Sequence, residues 1–139
     1  KMEETKKELS AYIHEQELLK DIEDEIKVLI TKATNTTTEL SDMPKGTPEE
    51  QDKMAKYTSM LVDTKNKKID QLTHMYKVKN ELEEKIFMLE QPYKNILYYK
   101  YIKGYNLTKV ANKIRYNYKW TCELHGDALI KYKELDKNG

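Results

Sequence analysis

The spacing of apolar residues between Pro48 and Leu89 limits the possible folds more than anything else in the chain. Met54, Tyr57 and Leu61, then Leu72, Met75, Leu82, Ile86 and Leu89, fall on one face of a helix, as an amphipathic segment requires. Lys65, Lys68 and Lys79 intrude on that face. Thr47 as N-cap, Pro48 at the first helical position and Glu50 closing a capping box give the segment a defined start. A helix from Pro48 to about Leu89 is on the order of 60 Å long. That is too long for a compact domain, and propensity alone holds such a helix poorly. It needs an apolar partner.

An earlier segment supplies one. Leu9, Tyr12, Leu19, Ile22, Ile26, Leu29 and Ala33 mostly step by three and four, a seam narrow enough for coiled-coil packing and interrupted at Glu15 or Gln16. The seam ends at Thr34-Asn35-Thr36-Thr37-Thr38, which lacks strong helix formers. Residues 34–47 therefore read as a loop, with Leu40 and Met43 apolar enough to tuck against the helix ends. The expectation is an all-α chain whose residues 1–90 form a long antiparallel helical hairpin, a coiled-coil stalk. Leu19, Ile22, Ile26, Leu29, Leu61, Leu72, Met75, Leu82, Ile86 and Leu89 are its packing and oligomerisation residues. The second helix outlasts the first, so its remaining surface calls for the terminal module or a second copy. A homodimer is expected.

Residues 91–139 punctuate into three short helices. Pro92 suits a first helical position, and Ile96, Leu97, Tyr99 or Tyr101, and Ile102 follow at helical intervals. Gly104 permits a left-handed stop. Asn106 is the N-cap candidate for Leu107 to Ile114, whose apolar face is Leu107, Val110, Ala111 and Ile114. The turn Arg115-Tyr116-Asn117 holds a second cap candidate, Asn117, and leads into a helix from Tyr118 to Leu135. That helix points Thr121, Leu124, Ala128 and Leu129 one way, and Tyr118, Lys119, Trp120, Cys122 and Glu123 largely another. Two helices joined by a tight turn, the second exposing its N-terminal half, have the spacing of a helix-turn-helix.

Two runs here resemble a known pattern. Tyr101-Ile102-Lys103-Gly104-Tyr105-Asn106-Leu107-Thr108-Lys109-Val110-Ala111, followed by Leu124-His125-Gly126-Asp127-Ala128-Leu129, is similar to the C-terminal module of small phage-encoded regulators. These are the RinA/ArpU-like late-gene activators, related in pattern to region four of bacterial sigma factors. The upstream run Thr37-Thr38-Glu39-Leu40-Ser41-Asp42-Met43-Pro44-Lys45-Gly46 resembles the same family's Thr-rich loop, so the resemblance covers most of the chain. Three features depart from it. Arg115 stands where a turn Gly is usual, Asn117 replaces Ser, and Glu123 and Asp127 occupy positions that are often basic. The resemblance implies a DNA-binding transcription regulator of a phage or mobile element, acting on late genes with host RNA polymerase.

Charge points the same way by a separate route. The net charge of +1 hides an asymmetry: residues 1–90 carry 15 Lys/Arg against 20 Asp/Glu, and residues 91–139 carry 10 against 4. Eight of the eleven Tyr lie in the second part. A basic, Tyr-rich module on an acidic stalk suggests that the module alone approaches a polyanion. The seven Gly and Pro positions favour long helices. No stretch approaches the roughly 20 apolar residues of a membrane span, and no signal-peptide pattern is present. The single Cys rules out an internal disulfide framework and fits a reducing cytosol. The expected setting is the cytoplasm of a bacterial host, in association with the nucleoid.

Chemistry is sparse. His14, His74 and His125 fall on three different helices, and Cys122-x-x-His125 offers two ligands where a zinc site needs more. There is no Gly-rich phosphate loop, nucleophile elbow or paired-carboxylate constellation. No enzyme activity, metal or cofactor is expected, and a partly buried His125 within the module is the simpler role. As a DNA reader, the final helix would use Lys119 on a guanine edge or a phosphate, Tyr118 on a thymine methyl or a phosphate, and Glu123 on a cytosine amino group. Trp120 would close the small core or serve as an exposed anchor, and Cys122 lies on the same reading face. Asn117 and the helix N-terminus aim backbone N–H groups where a phosphate would sit. Lys109, Lys113 and Arg115 would anchor the backbone of double-stranded DNA, with Lys100 and Lys103 as further candidates. The Tyr cluster at 98, 99 and 101 reads as packing surface. Two other classes fit the same pattern: a small terminase subunit recognising a packaging site, and a protein-interaction adaptor whose helix-turn-helix no longer binds DNA.

Overall fold

The computed structural model describes residues 2–41 and 48–138, without the side chains of 36–41 and 138. Among the described residues every regular element is helical: α1 (Met2–Leu9), α2 (Ala11–Ser41), α3 (Pro48–Ile86), α4 (Tyr93–Leu97), a π-helical turn (Tyr98–Ile102), α5 (Leu107–Ile114) and α6 (Tyr118–Asn138). The chain is all-α, a helical hairpin followed by a small helical module.

The expected loop at 34–47 is shorter than the sequence pattern suggests. Helix α2 continues through the threonines to Ser41. Threonine lowers helix propensity by only a fraction of a kcal/mol per residue, about 0.7 at most, and neither Gly nor Pro interrupts the chain before Pro44. An established helix therefore elongates through them. The Thr47 cap and the tucking of Leu40 and Met43 lie outside the described residues. Pro48 opens α3, with Glu49 and Glu50 in its first turn, where negative charge meets the positive end of the helix dipole.

Tertiary contacts divide the chain differently from the boundary expected at residue 90. One compact unit comprises Lys1–Gln16 and His74–Gly139, and the other comprises Glu17–Thr73. In the second unit α2 and α3 run antiparallel: Lys68 pairs with Glu23 at 3.3 Å, and Lys32 lies over the Tyr57 ring at 6.0 Å. Leu29 is buried, and Leu19, Ile22, Ile26, Leu61 and Leu72 are half-buried. The gap in the apolar seam between Leu61 and Leu72 holds Thr64. It is buried because its hydroxyl donates to the Met60 carbonyl at 2.8 Å and leaves no polar group unsatisfied.

The first unit gathers most of the core. Leu9, Tyr12, Met75, Leu82, Ile86 and Leu89 are buried in it, with Ile96, Leu97, Val110, Leu124, Leu129 and Tyr132. Helix α6 packs on α1, α4 and α5. The reason α1 and the last turns of α3 belong here is a polar clamp. The Glu8 carboxylate accepts from the Tyr132 hydroxyl at 2.5 Å and from Lys85 Nζ at 3.2 Å, and Lys85 also donates to Asp136 at 2.9 Å. Its hydrogen bond to Asp136 and the bond and charge of Glu8 raise the Lys85 pKa, and burial followed by the bond to Glu8 raises that of Tyr132.

Candidate nucleic-acid interface

The turn between α5 and α6 is built from local signals, and the caps expected at Asn106 and Asn117 are present. Gly104 adopts φ 76° and ends the π turn. The Asn106 side chain accepts from the Lys109 N–H at 2.9 Å, and α5 then spans Leu107–Ile114. Asn117 caps α6 in the same way, accepting from the Trp120 N–H at 2.7 Å. Between them Arg115 has φ 63° and ψ 38°. This is the left-handed region, which costs a residue with Cβ about 1–2 kcal/mol. Arg115 therefore takes a backbone conformation that glycine adopts at no steric cost.

Behind the turn lies a small core of Ile96, Val110 and Leu124, with Tyr93, Tyr99, Tyr105 and Ile114 packed against it. Thr121 is fully buried, its hydroxyl donating to the Asn117 carbonyl at 2.9 Å. Those contacts fix which face of α6 turns outward. Lys119 and Glu123 are exposed, Tyr118 is 55% and Trp120 47% exposed, and Cys122 is half-buried. Trp120 thus lies outside the small core. The neighbouring Cys122 thiol raises the Tyr118 pKa. Asn117, Arg115, Lys113 and Lys109 are exposed beside this face.

One region departs from the expected helix at 92–102. Pro92 sits one position before α4 as its N-cap, and after Leu97 the chain widens into the π turn, with Lys103 N–H bonding to the Tyr98 carbonyl at 3.1 Å. The extra residue in the turn lets the neighbours Tyr101 and Ile102 both be buried while Tyr99 packs half-buried on the core. Tyr101 hydrogen-bonds His125 Nε2 at 2.8 Å. Burial, with smaller contributions from Lys100 and Lys6, lowers the His125 pKa to about 4, and burial raises Tyr101 to about 12. His125 is therefore neutral near pH 7 and structural, and among the described residues no group of three or more His, Cys, Asp or Glu could hold a metal ion.

The sequence pattern does not show that tyrosine rings lie beneath several of these lysines. Lys109 Nζ lies 3.9 Å from the centre of the Tyr105 ring, with Lys113 at 6.0 Å from the same ring. Lys103 lies over Tyr98 at 5.8 Å, and Lys100 over Tyr101 at 5.5 Å. Tyr105 itself stacks on Tyr99 at 5.9 Å. A ring beneath an ammonium attracts it and restricts its rotamers. At exposed lysines such as Lys109 and Lys113 that attraction is worth about 0.5–1 kcal/mol. The available signal was a Tyr just before the Asn106 cap and four residues ahead of Lys109 in the first turn of α5.

No protein-family model matches this chain, and comparisons with curated proteins and with solved structures give no match. No helix among the described residues is long and apolar enough to cross a membrane.

Proposed function

We propose that this chain is a sequence-specific, double-stranded-DNA-binding transcription regulator of a phage or mobile element. In this reading it works as a homodimer on late genes with host RNA polymerase, in the cytoplasm at the bacterial nucleoid, and carries no catalytic role. The observation that supports it most is the outward face of α6, where Lys119, Tyr118 and Trp120 are exposed on a helix whose opposite face is locked into the core. The cations Lys109 and Lys113, beside the Tyr105 ring, lie on the preceding helix of the motif. Lys119 then reaches a base edge, while Lys113 and Arg115 contact phosphate.

Substituting two lysines separates reading from anchoring. Lys119→Ala weakens binding to the preferred sequence by about 1–3 kcal/mol and relaxes preference at one base pair. Lys113→Ala weakens all duplexes alike and lowers the salt slope by about one unit. Selection of bound DNA from a random library, followed by anisotropy titrations, measures both. Identical behaviour of the two variants would mean that the reading helix is misassigned. Exposed Glu123 and Asp127 on α6 support a second reading, in which this face docks a basic protein surface instead of DNA. Loss of all duplex binding at low salt would favour it.

A further inference from the structure

Helix α3 carries a second stripe besides the seam that packs on α2. Ala55, Thr58, Val62, Asn66, Ile69 and Thr73 follow one another by three or four residues and are all exposed, Val62 at 54% and Ile69 at 60%. At 100° per residue this row lies about a third of a turn around the helix from the seam. None of the six is charged, although ten of the 26 residues from Pro48 to Thr73 are. The outward face of α2 is more heavily charged, with Glu17, Lys20, Asp21 and Asp24 exposed around a single apolar side chain, Val28. Solvation does not account for Val62 and Ile69, two exposed β-branched apolar side chains seven residues apart on α3, the repeat of one position in a coiled-coil heptad.

The charges beside the stripe distinguish between orientations. Lys65 lines one edge, and Asp63 and Asp70 line the other, with Lys56 further round beyond them. Two parallel helices related by a two-fold axis set opposite edges against each other, so each Lys65 faces the other copy's Asp70. An antiparallel pair sets like edges together, and the aspartates repel. The seam residues Leu29, Met75, Leu82, Ile86 and Leu89 are already buried within the chain itself, so a second copy must meet another face.

We infer that a second copy of this chain packs in parallel on the Ala55–Thr73 stripe of α3; this names the surface of the homodimer proposed above and rests on that reading for the choice of partner. Parallel pairing also sends both chains into α4 from the same end, as a reader of two half-sites requires.

The test uses the full chain without DNA. Sedimentation equilibrium at micromolar concentration gives a mass near twice 16.6 kDa. Ile69→Glu gives the single mass with unchanged helical circular dichroism, and Val62→Glu does the same should the first variant misfold. Ile69→Cys combined with Cys122→Ser crosslinks quantitatively on mild oxidation, because a parallel two-fold axis sets the two copies of position 69 side by side. A monomeric wild type, a dimer indifferent to both glutamates, or a dimer that does not crosslink at position 69 overturns the inference. DNA binding is scored separately. A monomer that binds duplex sinks the dimer surface alone, and a dimer that ignores all duplexes sinks the regulator alone.

Discussion

The two compact units solve the same problem, burying apolar surface with helices, to different degrees. In Glu17–Thr73 two long helices meet along one seam, and among the described residues only Leu29 and Thr64 are fully withdrawn from solvent. In the unit containing α4, α5 and α6, short helices meet at several angles, and residues such as Ile96, Leu97, Val110 and Ala128 lose all contact with water. Two helices can shield each other on one side only, whereas a third and fourth close the remaining sides. The lesson is that α6 is held by partners on several sides, α1, α4 and α5, while the hairpin leaves apolar side chains such as Val62 and Ile69 exposed.

Truncations give the largest test of that difference. Ile96→Ala in the module should cost about 2–5 kcal/mol, the usual range for emptying a closed core position. The same change at half-buried Ile26 in the hairpin should cost clearly less, since its neighbours and water can fill the space. Urea denaturation of each variant measures both, and equal costs would erase the contrast. At the turn, Asn117→Ala removes the cap on the Trp120 N–H and should cost about 1 kcal/mol. Arg115→Gly works in the other direction. Relief of the left-handed strain exceeds the added freedom of the unfolded chain, so the module should gain about 0.5–1 kcal/mol.

A separate effect appears only on acidification. The His125 pKa in the fold is about 4, below its ordinary 6.5. Between those values the unfolded chain binds the proton and the folded chain does not, so stability is lost as pH falls through that window. His125→Gln should flatten the decline in melting temperature between pH 6.5 and 5. An unchanged slope would mean that burial does not hold His125 neutral.

Much of the module could be read from sequence because its signals are local. Asn106 and Asn117 as caps, Gly104 as a stop, α5 from Leu107 to Ile114 and the outward set on α6 each depend on residues within one or two turns. Features built from distant or backbone-level partners were hidden. Nothing in Tyr98-Tyr99-Lys100-Tyr101-Ile102 marks a π turn. The Glu8–Tyr132 bond joins residues 124 apart in sequence, so periodicity could not have drawn α1 into the module's unit. Thr64 was missed in the seam because burial of a hydroxyl depends on its finding a carbonyl one turn back. The threonines after Ala33 read as a loop because weak helix formers resemble breakers when no Gly or Pro is there to tell them apart, and α2 runs through them to Ser41.

The proposal turns on whether the exposed face of α6, together with Lys109 and Lys113 of α5, grips double-stranded DNA. Fluorescence anisotropy of a labelled duplex, titrated with the full chain across a series of salt concentrations, addresses it directly. The account predicts binding at low salt and an affinity that falls linearly with the logarithm of salt concentration, with a slope of about −0.9 for each phosphate neutralised. No binding at low salt, or an affinity that does not change with salt, would contradict it.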